Sequence, residues 1–281
     1  MAARSLAQSF QPRRFTEWIQ WRKLYDRAAD RARLTDKGHG KQIAAAALGA
    51  SFVIPTLWEG RRLPRVAQWP ISFVVKANHG CRQTLVVRSD ADYRRARGKA
   101  PRWIKRAYGG WLSEWHYRAA KRSFLVEPYM GDGDKLPVDY KIYVFGGHAL
   151  IIQVHEERAG RHRWSQHDRK WHRLSRAVTA VEAPRSLAAM LAAAETLGRG
   201  HDLLRVDLHE VNGTPLFGEF SLYPGSGLDR FNPIVLDDWI GAHWAAQRRP
   251  AGEERSAILA YWSHSAIFLT ARFSLVRLPH R

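Results

Sequence analysis

Two acidic residues, Asp207 and Glu219, lie on two apolar segments joined by a turn, in the stretch RVDLHEVNGTPLFGEF. The dipeptide Asn212-Gly213 predicts a β-hairpin, because both residues tolerate the positive φ angles of its tight turn. Strand alternation then lets Asp207 and Glu219 oppose each other across the ladder. Two carboxylates at that range repel unless a cation separates them, and oxygen ligands without His or Cys favour Mg²⁺ held together with substrate phosphates.

Other polar residues of the hairpin extend the two faces. The alternation groups Arg205 and His209 with Asp207, and it groups Phe217 and Ser221 with Glu219. An arginine beside Asp207 would suit a phosphate oxygen. The alternative is a solvent-exposed polar face, on which Arg205 and Glu219 form an ordinary cross-strand ion pair. The hairpin alone leaves both interpretations open.

Charged residues also stand at the ends of three other apolar segments. Lys76 follows FVV, Glu127 follows FLV, and Lys141 opens KIYVF. A lysine buried at a strand end is unfavourable unless an anion meets it, so Lys76 and Lys141 together indicate a shared anionic ligand. Either lysine alone would be interpreted as a surface side chain with its ammonium group in water.

The N-terminal third is predicted to be mainly helical. FTEWIQWRKLYDRAADRA has helical periodicity, QIAAAALGA predicts a second helix ended by Gly49, and FVIPTLW predicts a short strand stopped by Pro55. The segments FVVKANHG and TLVVRSD then predict a hairpin, and residues 91–121 predict basic helices interrupted at Tyr108-Gly109-Gly110.

Strands dominate the rest of the chain. YKIYVFGGHALIIQVHEE predicts a hairpin around Gly146-Gly147, and HRWSQHDRKWHRL predicts another, exposed hairpin. SLAAMLAAAETLG predicts an amphipathic helix closed by Gly198. The order sheet, helix, sheet predicts an α+β fold with mainly antiparallel sheets.

Composition limits the cellular setting and the partners. The chain has 281 residues, of which 45% are hydrophobic, and a single cysteine, Cys81. No signal peptide and no long apolar run is evident, so we expect a cytoplasmic protein without an internal disulfide. The net charge of +19 suggests a polyanionic partner. The basic residues are spread along the chain, which does not favour a dedicated nucleic-acid module, so no specific nucleic-acid partner is expected.

Taken in order, the segments LTDK, FVVKANHG, LVEPYM, DYKIYVFGG, RVDLHEVNG and FGEFSLYPGSGLDRFNP resemble the ATP-grasp fold, specifically its TupA-like amide-ligase branch. The resemblance covers roughly residues 20–245. It implies two antiparallel sheet lobes that clamp a nucleotide, the small lobe at 66–130 and the large lobe with the metal hairpin at 131–245. The helical N-terminal segment with its short strand spans 1–65, and a linker with an apolar tail spans 246–281.

The resemblance also implies roles for single residues. Lys37 and Lys76 would contact ATP phosphates or adenine, together with His79 of the NHG sequence. Glu127 would lie at the hinge near adenine and ribose. Lys141 would reach phosphate.

Further roles fall on the metal hairpin. Arg205 would steady the transferring phosphoryl group and, with Lys141, form the catalytic pair of cations. Asp207 and Glu219 would hold Mg²⁺, with the Ser221 oxygen as a third ligand.

Two loops of the chain complete the implied site. Gly225, Ser226 and Gly227 would form the substrate loop, whose backbone N–H groups can bind a carboxylate or acyl phosphate. The second loop departs from the family pattern, because the Ser-Gly-Gly-like continuation after NHG is replaced by Cys81-Arg82-Gln83. A loop without those glycines is expected to lose access to positive φ.

These features imply an ATP- and Mg²⁺-dependent carboxylate–amine ligase that acts through an acyl phosphate, in cell-surface polysaccharide or teichuronopeptide-type polymer biosynthesis. The partners would be a carboxylate, an amine and an anionic glycan. Two alternatives stay open, an ATP-consuming transferase in surface-glycan assembly and a non-catalytic module that binds polyanions or nucleotides.

The C-terminal segment 246–281 lies beyond the resemblance. Its apolar residues are interrupted by His264, Arg272 and Arg277, which is compatible with a helix on the inner membrane surface. The favoured alternative is a final helix that packs on the domain.

Overall fold

Two antiparallel sheets organise the protein in the computed structural model, which describes residues 11–133, 136–158, 161–175 and 181–248. The strands are β1 Trp58–Gly60, β2 Phe73–Ala77, β3 Thr84–Val87, β4 Phe124–Pro128, β5 Asp139–Phe145, β6 His148–Arg158, β7 Arg161–His167, β8 Leu204–Val211 and β9 Thr214–Ser221. The small sheet has the order β1-β4-β2-β3 and the large sheet the order β7-β6-β5-β8-β9. The prediction of an α+β protein with mainly antiparallel sheets is confirmed.

Helices cover the sheets and join them. They are α1 Phe15–Tyr25, α2 Ala29–Ala32, α3 Lys37–Leu48, α4 Asp90–Lys99, α5 Pro101–Ile104, α6 Leu187–Gly198 and α7 Val235–Gln247. Helix α3 begins where the Asp36 carboxylate accepts a hydrogen bond from the backbone N–H of His39, and it ends before Gly49, whose φ of 96° leaves the helical path. Helix α3 therefore starts earlier than the predicted QIAAAALGA segment.

Each sheet has its own hydrophobic core. Phe73, Val75 and Phe124 of the small sheet pack with Tyr93 and Ala96 of α4. The core of the large sheet also takes in residues of α1, α6 and α7. Because strand side chains alternate between faces, the opposite face of the small sheet is left to carry Val74, Lys76 and Glu127.

The two predicted tight turns of the large sheet are confirmed. Asn212 and Gly213 have φ angles of 53° and 75°, and Gly146 and Gly147 have φ angles of 56° and 86°. These positive angles match the right-handed twist of the strands that the turns connect.

The β8–β9 hairpin contains a bulge that sequence alternation did not predict. Asp207 pairs with Glu219 and the next residue, Leu208, pairs with Phe217, so Gly218 is an extra residue in β9. The bulge turns Phe217 into the core and leaves Glu219 on the face of Asp207. The prediction that Phe217 shares a face with Glu219 is therefore wrong.

Two predicted strands need correction. In FVIPTLW, residues Ala50–Phe52 form a 3-10 turn and Val53 makes one bridge to Phe217, whereas the strand begins only at Trp58, after Pro55. Proline lacks the N–H donor that a ladder requires, which explains the delay. In HRWSQHDRKWHRL, the first half belongs to strand β7, which pairs with β6. The second half forms no strand and makes a single bridge, between Arg173 and His167.

The prediction for the C-terminal segment 246–281 falls largely outside the described residues, which end at 248. In the part of the chain that the structure describes, no helix is both long and apolar enough to cross a membrane.

Candidate active site

A cavity of about 330 Å³ lies between the two sheets. Five of the predicted site residues line it, and they are Lys37, Lys76, Glu127, Asp207 and Glu219. Apolar side chains line another part, among them Ile54, Val74, Val86, Met130 and Leu136. The cavity therefore combines an apolar surface with a charged one.

A cluster of four charged residues, the large-sheet cluster, lies on the cavity side of β5 and β8. Asp207 is buried, and both of its carboxylate oxygens accept hydrogen bonds from Arg205, each at 2.7 Å. Lys141 Nζ donates to Asp207 Oδ2 at 3.1 Å and also contacts Asp139. Lys141 and Asp207 are directly opposed in the ladder, which explains their contact.

The pKa values of Asp139 and Lys141 favour their ionised forms. Burial would raise the pKa of Asp139, but Lys141 and His209 outweigh it and lower the pKa to about 2. Burial would lower the pKa of Lys141, but Asp139 and Asp207 raise it well above its ordinary value. Asp139 and Lys141 are thus both charged over the physiological pH range.

Glu219 faces Asp207 across the ladder and is neutralised from a distant segment. Lys37 Nζ, at the start of α3, lies 2.9 Å from Glu219 Oε2 and donates to the Gly80 carbonyl at 2.7 Å. Burial and Asp207 would raise the pKa of Glu219, but Lys37 and Lys141 lower it below its usual range. Arg205 forms its ion pair with Asp207 of its own strand. The alternative prediction of a cross-strand pair between Arg205 and Glu219 is therefore not the pairing that the structure shows.

The small-sheet cluster consists of Lys41, Lys76 and Glu127, of which Lys76 and Glu127 line the opposite wall of the cavity. Glu127 is buried, and its two oxygens lie 2.5 Å from Lys41 Nζ and 2.6 Å from Lys76 Nζ. Burial would raise the pKa of Glu127, but the two lysines lower it. This glutamate therefore stays ionised despite its burial.

Four predicted residues outside the Gly225–Gly227 loop are absent from the cavity lining. Arg205 and Lys141 contact Asp207, which lines the cavity, but are not themselves part of the lining. Ser221 is buried opposite Arg205 and does not line the cavity. The His79 ring is fully buried, and its Nε2 donates to the Trp103 carbonyl at 2.9 Å, so the structure does not bring it to the cavity.

The predicted substrate loop follows β9 and is packed against α1. Gly225, Ser226 and Gly227 have φ angles of 55°, 56° and 65°. Lys23 Nζ donates to the carbonyl and the hydroxyl of Ser226 at 2.8 and 2.7 Å. Gln20 also donates to the Ser226 carbonyl, at 3.0 Å. The loop is thus fixed from the N-terminal helix, and its residues do not line the cavity.

The loop after NHG reaches the cavity in an unexpected way. Cys81 and Arg82 both line it, and Arg82 has a φ of 58°. The expectation that this loop loses positive φ without glycines is therefore wrong. The Cys81 thiol lies 2.9 Å from the Tyr117 hydroxyl, and burial raises the pKa of this thiol.

Two charged residues of the site were missed by sequence reasoning. Lys41 lies four residues after Lys37 on α3, which places both on one helix face. Asp139 lies two residues before Lys141, on the same face of β5. The four-residue helical spacing from Lys37 and the two-residue strand spacing from Lys141 are the sequence signals that predict Lys41 and Asp139.

The donor chemistry suits a divalent cation through Asp207 and Glu219. These two carboxylates are opposed in one ladder and line the same cavity. Mg²⁺ prefers oxygen ligands of this kind. The described residues contain no group of three or more His, Cys, Asp or Glu side chains placed to hold a metal. Such an ion would therefore need further oxygen ligands from a substrate, for which phosphates are suited.

Comparison with known proteins gives one family. The model of the TupA-like ATP-grasp family matches residues 17–245. No curated protein is similar enough to count as a match.

Several solved structures are similar in outline. D-alanine–D-alanine ligase from Bacillus anthracis, solved with ATP, is 16% identical, with 85% of this chain and 68% of that chain covered and a TM-score of 0.45. L-amino acid ligase from Bacillus licheniformis is 15% identical, with 80% and 50% covered and a TM-score of 0.48. N5-carboxyaminoimidazole ribonucleotide synthetase, solved with ADP, is 13% identical, with 73% and 50% covered and a TM-score of 0.46. The match spans half the length of the last two proteins.

Proposed function

We propose, from the premise that this chain belongs to the TupA-like ATP-grasp family, that it is an ATP-dependent ligase that joins a carboxylate to an amine. The proposal rests on the cavity between the sheets, where two lysines and two opposed carboxylates line a single space beside an apolar surface. Such a space accommodates a purine base at its apolar part and phosphates at its charged part.

The reaction would proceed in two displacements. A substrate carboxylate oxygen attacks the γ-phosphorus of ATP, the bond to ADP breaks, and an acyl phosphate forms. The amine nitrogen then attacks the acyl carbon, phosphate leaves with the bonding electrons, and the nitrogen loses a proton. Neither step requires a nucleophilic side chain, because rate enhancement rests on positioning and charge neutralisation.

The chain's own cations would neutralise the phosphates. Lys37 and Lys76 line the cavity from α3 and β2, and each is paired with a carboxylate in the structure described here. Nucleotide binding would therefore exchange an internal ion pair for a phosphate contact. Arg205 and Lys141, which both contact Asp207, would set the position of that carboxylate and add positive potential where charge develops.

Asp207 and Glu219 would hold Mg²⁺ together with the nucleotide. Bound there, the ion would supply charge neutralisation on the transferring phosphoryl group. We assign the Gly225–Gly227 loop to the acceptor side, since it follows β9 directly and Lys23 and Gln20 fix its shape.

The finer assignment concerns the substrates. We propose an acceptor within a cell-surface polysaccharide or teichuronopeptide-type polymer, handled in the cytoplasm. The excess of positive charge favours an anionic acceptor of this kind.

Calorimetric titration of ATP with and without Mg²⁺, followed by ADP release with amino acids and uronic acids, tests the proposal. We expect Mg²⁺-dependent ATP binding and a product whose mass equals both substrates less one water. ADP release without amide formation would favour the transferase, and absence of ATP binding would favour a non-catalytic polyanion-binding module.

A further inference from the structure

A second concave surface lies on the small sheet, on the face that points away from the central cavity. It encloses about 1100 Å³ and includes Phe124 of β4. Glu127 of the same strand lines the central cavity, and the odd spacing of the two residues puts them on opposite faces. About 10 Å of strand separates them, so the two spaces are close but distinct.

Five cations surround this space, the basic groove. They are Arg61, Arg62, Arg97, Lys105 and Arg122. None of the described residues that line the groove is acidic. The lysines of the central cavity are each paired with a carboxylate, whereas no salt bridge joins a groove cation to any other described residue.

The groove is assembled by the fold from three separate segments. Arg61 and Arg62 follow β1, Arg97 lies in α4 with Lys105 just after α5, and Arg122 precedes β4. Five like charges around one space repel one another, and no acidic side chain among the described lining residues offsets them. An external anion with several charges would therefore be strongly favoured there.

The shape of the groove selects among polyanions. Its uncharged lining is aliphatic, from Leu63, Pro101 and Ile104, and the Phe124 ring is only 1% exposed. Nucleic-acid bases would find no aromatic face for stacking in this lining. A concave space also suits a polymer chain lying in it better than it suits a flat bilayer. Binding to a bilayer would require exposed apolar side chains that enter the membrane.

We propose that the basic groove binds an anionic polysaccharide whose sugars carry carboxylates. Four of the five cations are arginines, whose planar guanidinium groups form paired hydrogen bonds with a carboxylate. The aliphatic lining provides a surface for the C–H faces of sugar rings. A carboxylate attached directly to a ring loses less side-chain freedom on binding than the carboxylate of a glutamate chain, which favours a glycan over an acidic peptide.

This inference deepens the proposed function, because it rests on a polymeric acceptor and gives it a contact outside the reaction cavity. Binding is measured without ATP, so its failure and the failure of the ligase reaction are separate results. The probe is fluorescently labelled polygalacturonate, and the readout is fluorescence anisotropy.

The test compares two full-length variants that lower the net charge of +19 equally. The groove variant changes Arg61, Arg62, Arg97, Lys105 and Arg122 to Gln. The matched control changes four exposed arginines and one exposed lysine elsewhere to Gln, at Arg33, Arg185, Arg199, Arg230 and Lys170. We expect the groove variant to lose affinity at least about tenfold and the control less than about threefold.

Equal losses in both variants would overturn the proposal and assign binding to the diffuse charge of the chain. Groove-dependent binding that is tighter to polyuridylate RNA, polyglutamate or phosphatidylserine vesicles would overturn the polysaccharide assignment. If the groove variant lacks a cooperative thermal transition, Arg61→Gln/Arg62→Gln is compared with Arg199→Gln/Arg230→Gln, and a loss confined to the first pair supports the groove.

Discussion

Asp207 and Glu127 are both buried carboxylates held by two cations, but the cations come from different places in the chain. The partners of Asp207 are Arg205 in its own strand and Lys141 directly opposite in the ladder. One partner of Glu127, Lys76, lies diagonally across the small sheet, and the other, Lys41, comes from helix α3. The large-sheet cluster thus depends on strand register, whereas the small-sheet cluster also depends on how a helix docks.

This difference has a consequence for ligand binding. In the large-sheet cluster, loss of Lys141 removes the ion pair of Asp139 and loss of Asp207 removes the ion pair of Arg205, so stability and function change together. In the small-sheet cluster, Glu127 keeps one lysine when the other is removed. Substitutions there can therefore change nucleotide affinity with little effect on folding.

Asp207→Asn should give the largest effect. The amide keeps the shape but removes the charge that neutralises Lys141 and Arg205, and it weakens the proposed metal site. We expect turnover to fall at least about a hundredfold. The free energy of unfolding should fall by about 3 kcal/mol, measured by urea denaturation. Unchanged Mg²⁺-dependent turnover would show that the hairpin does not hold the metal.

Asp139 makes the large-sheet cluster sensitive to acid. Its pKa of about 2 in the folded protein lies below the value of about 3.9 in an unfolded chain, so its contribution is complete above that value and is lost as the pH falls from about 4 to 2. The loss should be on the order of 2 kcal/mol. In Asp139→Asn this titration is absent, and the stability gap to the wild type should narrow over the same range. Parallel stability curves for the two proteins would contradict the assignment.

Replacing one lysine in each cluster tests the comparison directly. Lys76→Met leaves Glu127 paired with Lys41, so we expect ATP affinity to fall about tenfold while the unfolding midpoint stays nearly constant. Lys141→Met removes the only lysine that contacts Asp139 among the described residues, so affinity and stability should both fall.

Lys99→Met and Lys121→Met serve as controls for these two variants, since both lysines lie outside the cavity. Calorimetric titration should give nearly wild-type ATP affinity for both. Equal losses in all four variants would indicate a diffuse electrostatic surface instead of two clusters.

The smallest expected effect concerns the turn that sets the large-sheet register. Gly213 has a φ of 75° and open space around its Cα, so Gly213→Ala should cost about 1 kcal/mol through backbone strain alone. Gly98→Ala is the matched control, because this glycine also has open space but lies inside helix α4, where alanine should stabilise by about 0.5–1 kcal/mol. Thermal unfolding measures the stability change of both variants. Destabilisation by Gly98→Ala would show that open space and the φ angle do not account for the difference in stability between the two variants.

The sequence by itself determined those features of the protein that follow from local rules. Asn212-Gly213 and Gly146-Gly147 set two hairpins, because few other residue pairs adopt their positive φ angles. Apolar segments ending in Lys76 and Glu127 predicted two small-sheet strands that reach a charged space. The composition and order of these elements predicted the class of fold and, with the family resemblance, the lysines and carboxylates that line the cavity.

The sequence of the hairpin does not by itself place Asp207 and Glu219 opposite each other. With a two-residue turn, strict pairing places Asp207 opposite Gly218, and only the bulge at Gly218 brings Glu219 there. Gly198 is a similar case. It was predicted to close α6 through its backbone freedom, but a Cβ there would lie 2.3 Å from Val144, so glycine is required by close packing on β5.

Only the tertiary structure decided which distant residues meet. The docking of α3 brings Lys37 to Glu219 and Lys41 to Glu127, and the packing of α4 and α5 on the small sheet joins Arg97 and Lys105 to Arg61 and Arg62. Local sequence determines turns and alternation because their energetics involve adjacent residues. The position of a helix on a sheet depends on many weak contacts between segments far apart in the chain, so no short motif encodes it.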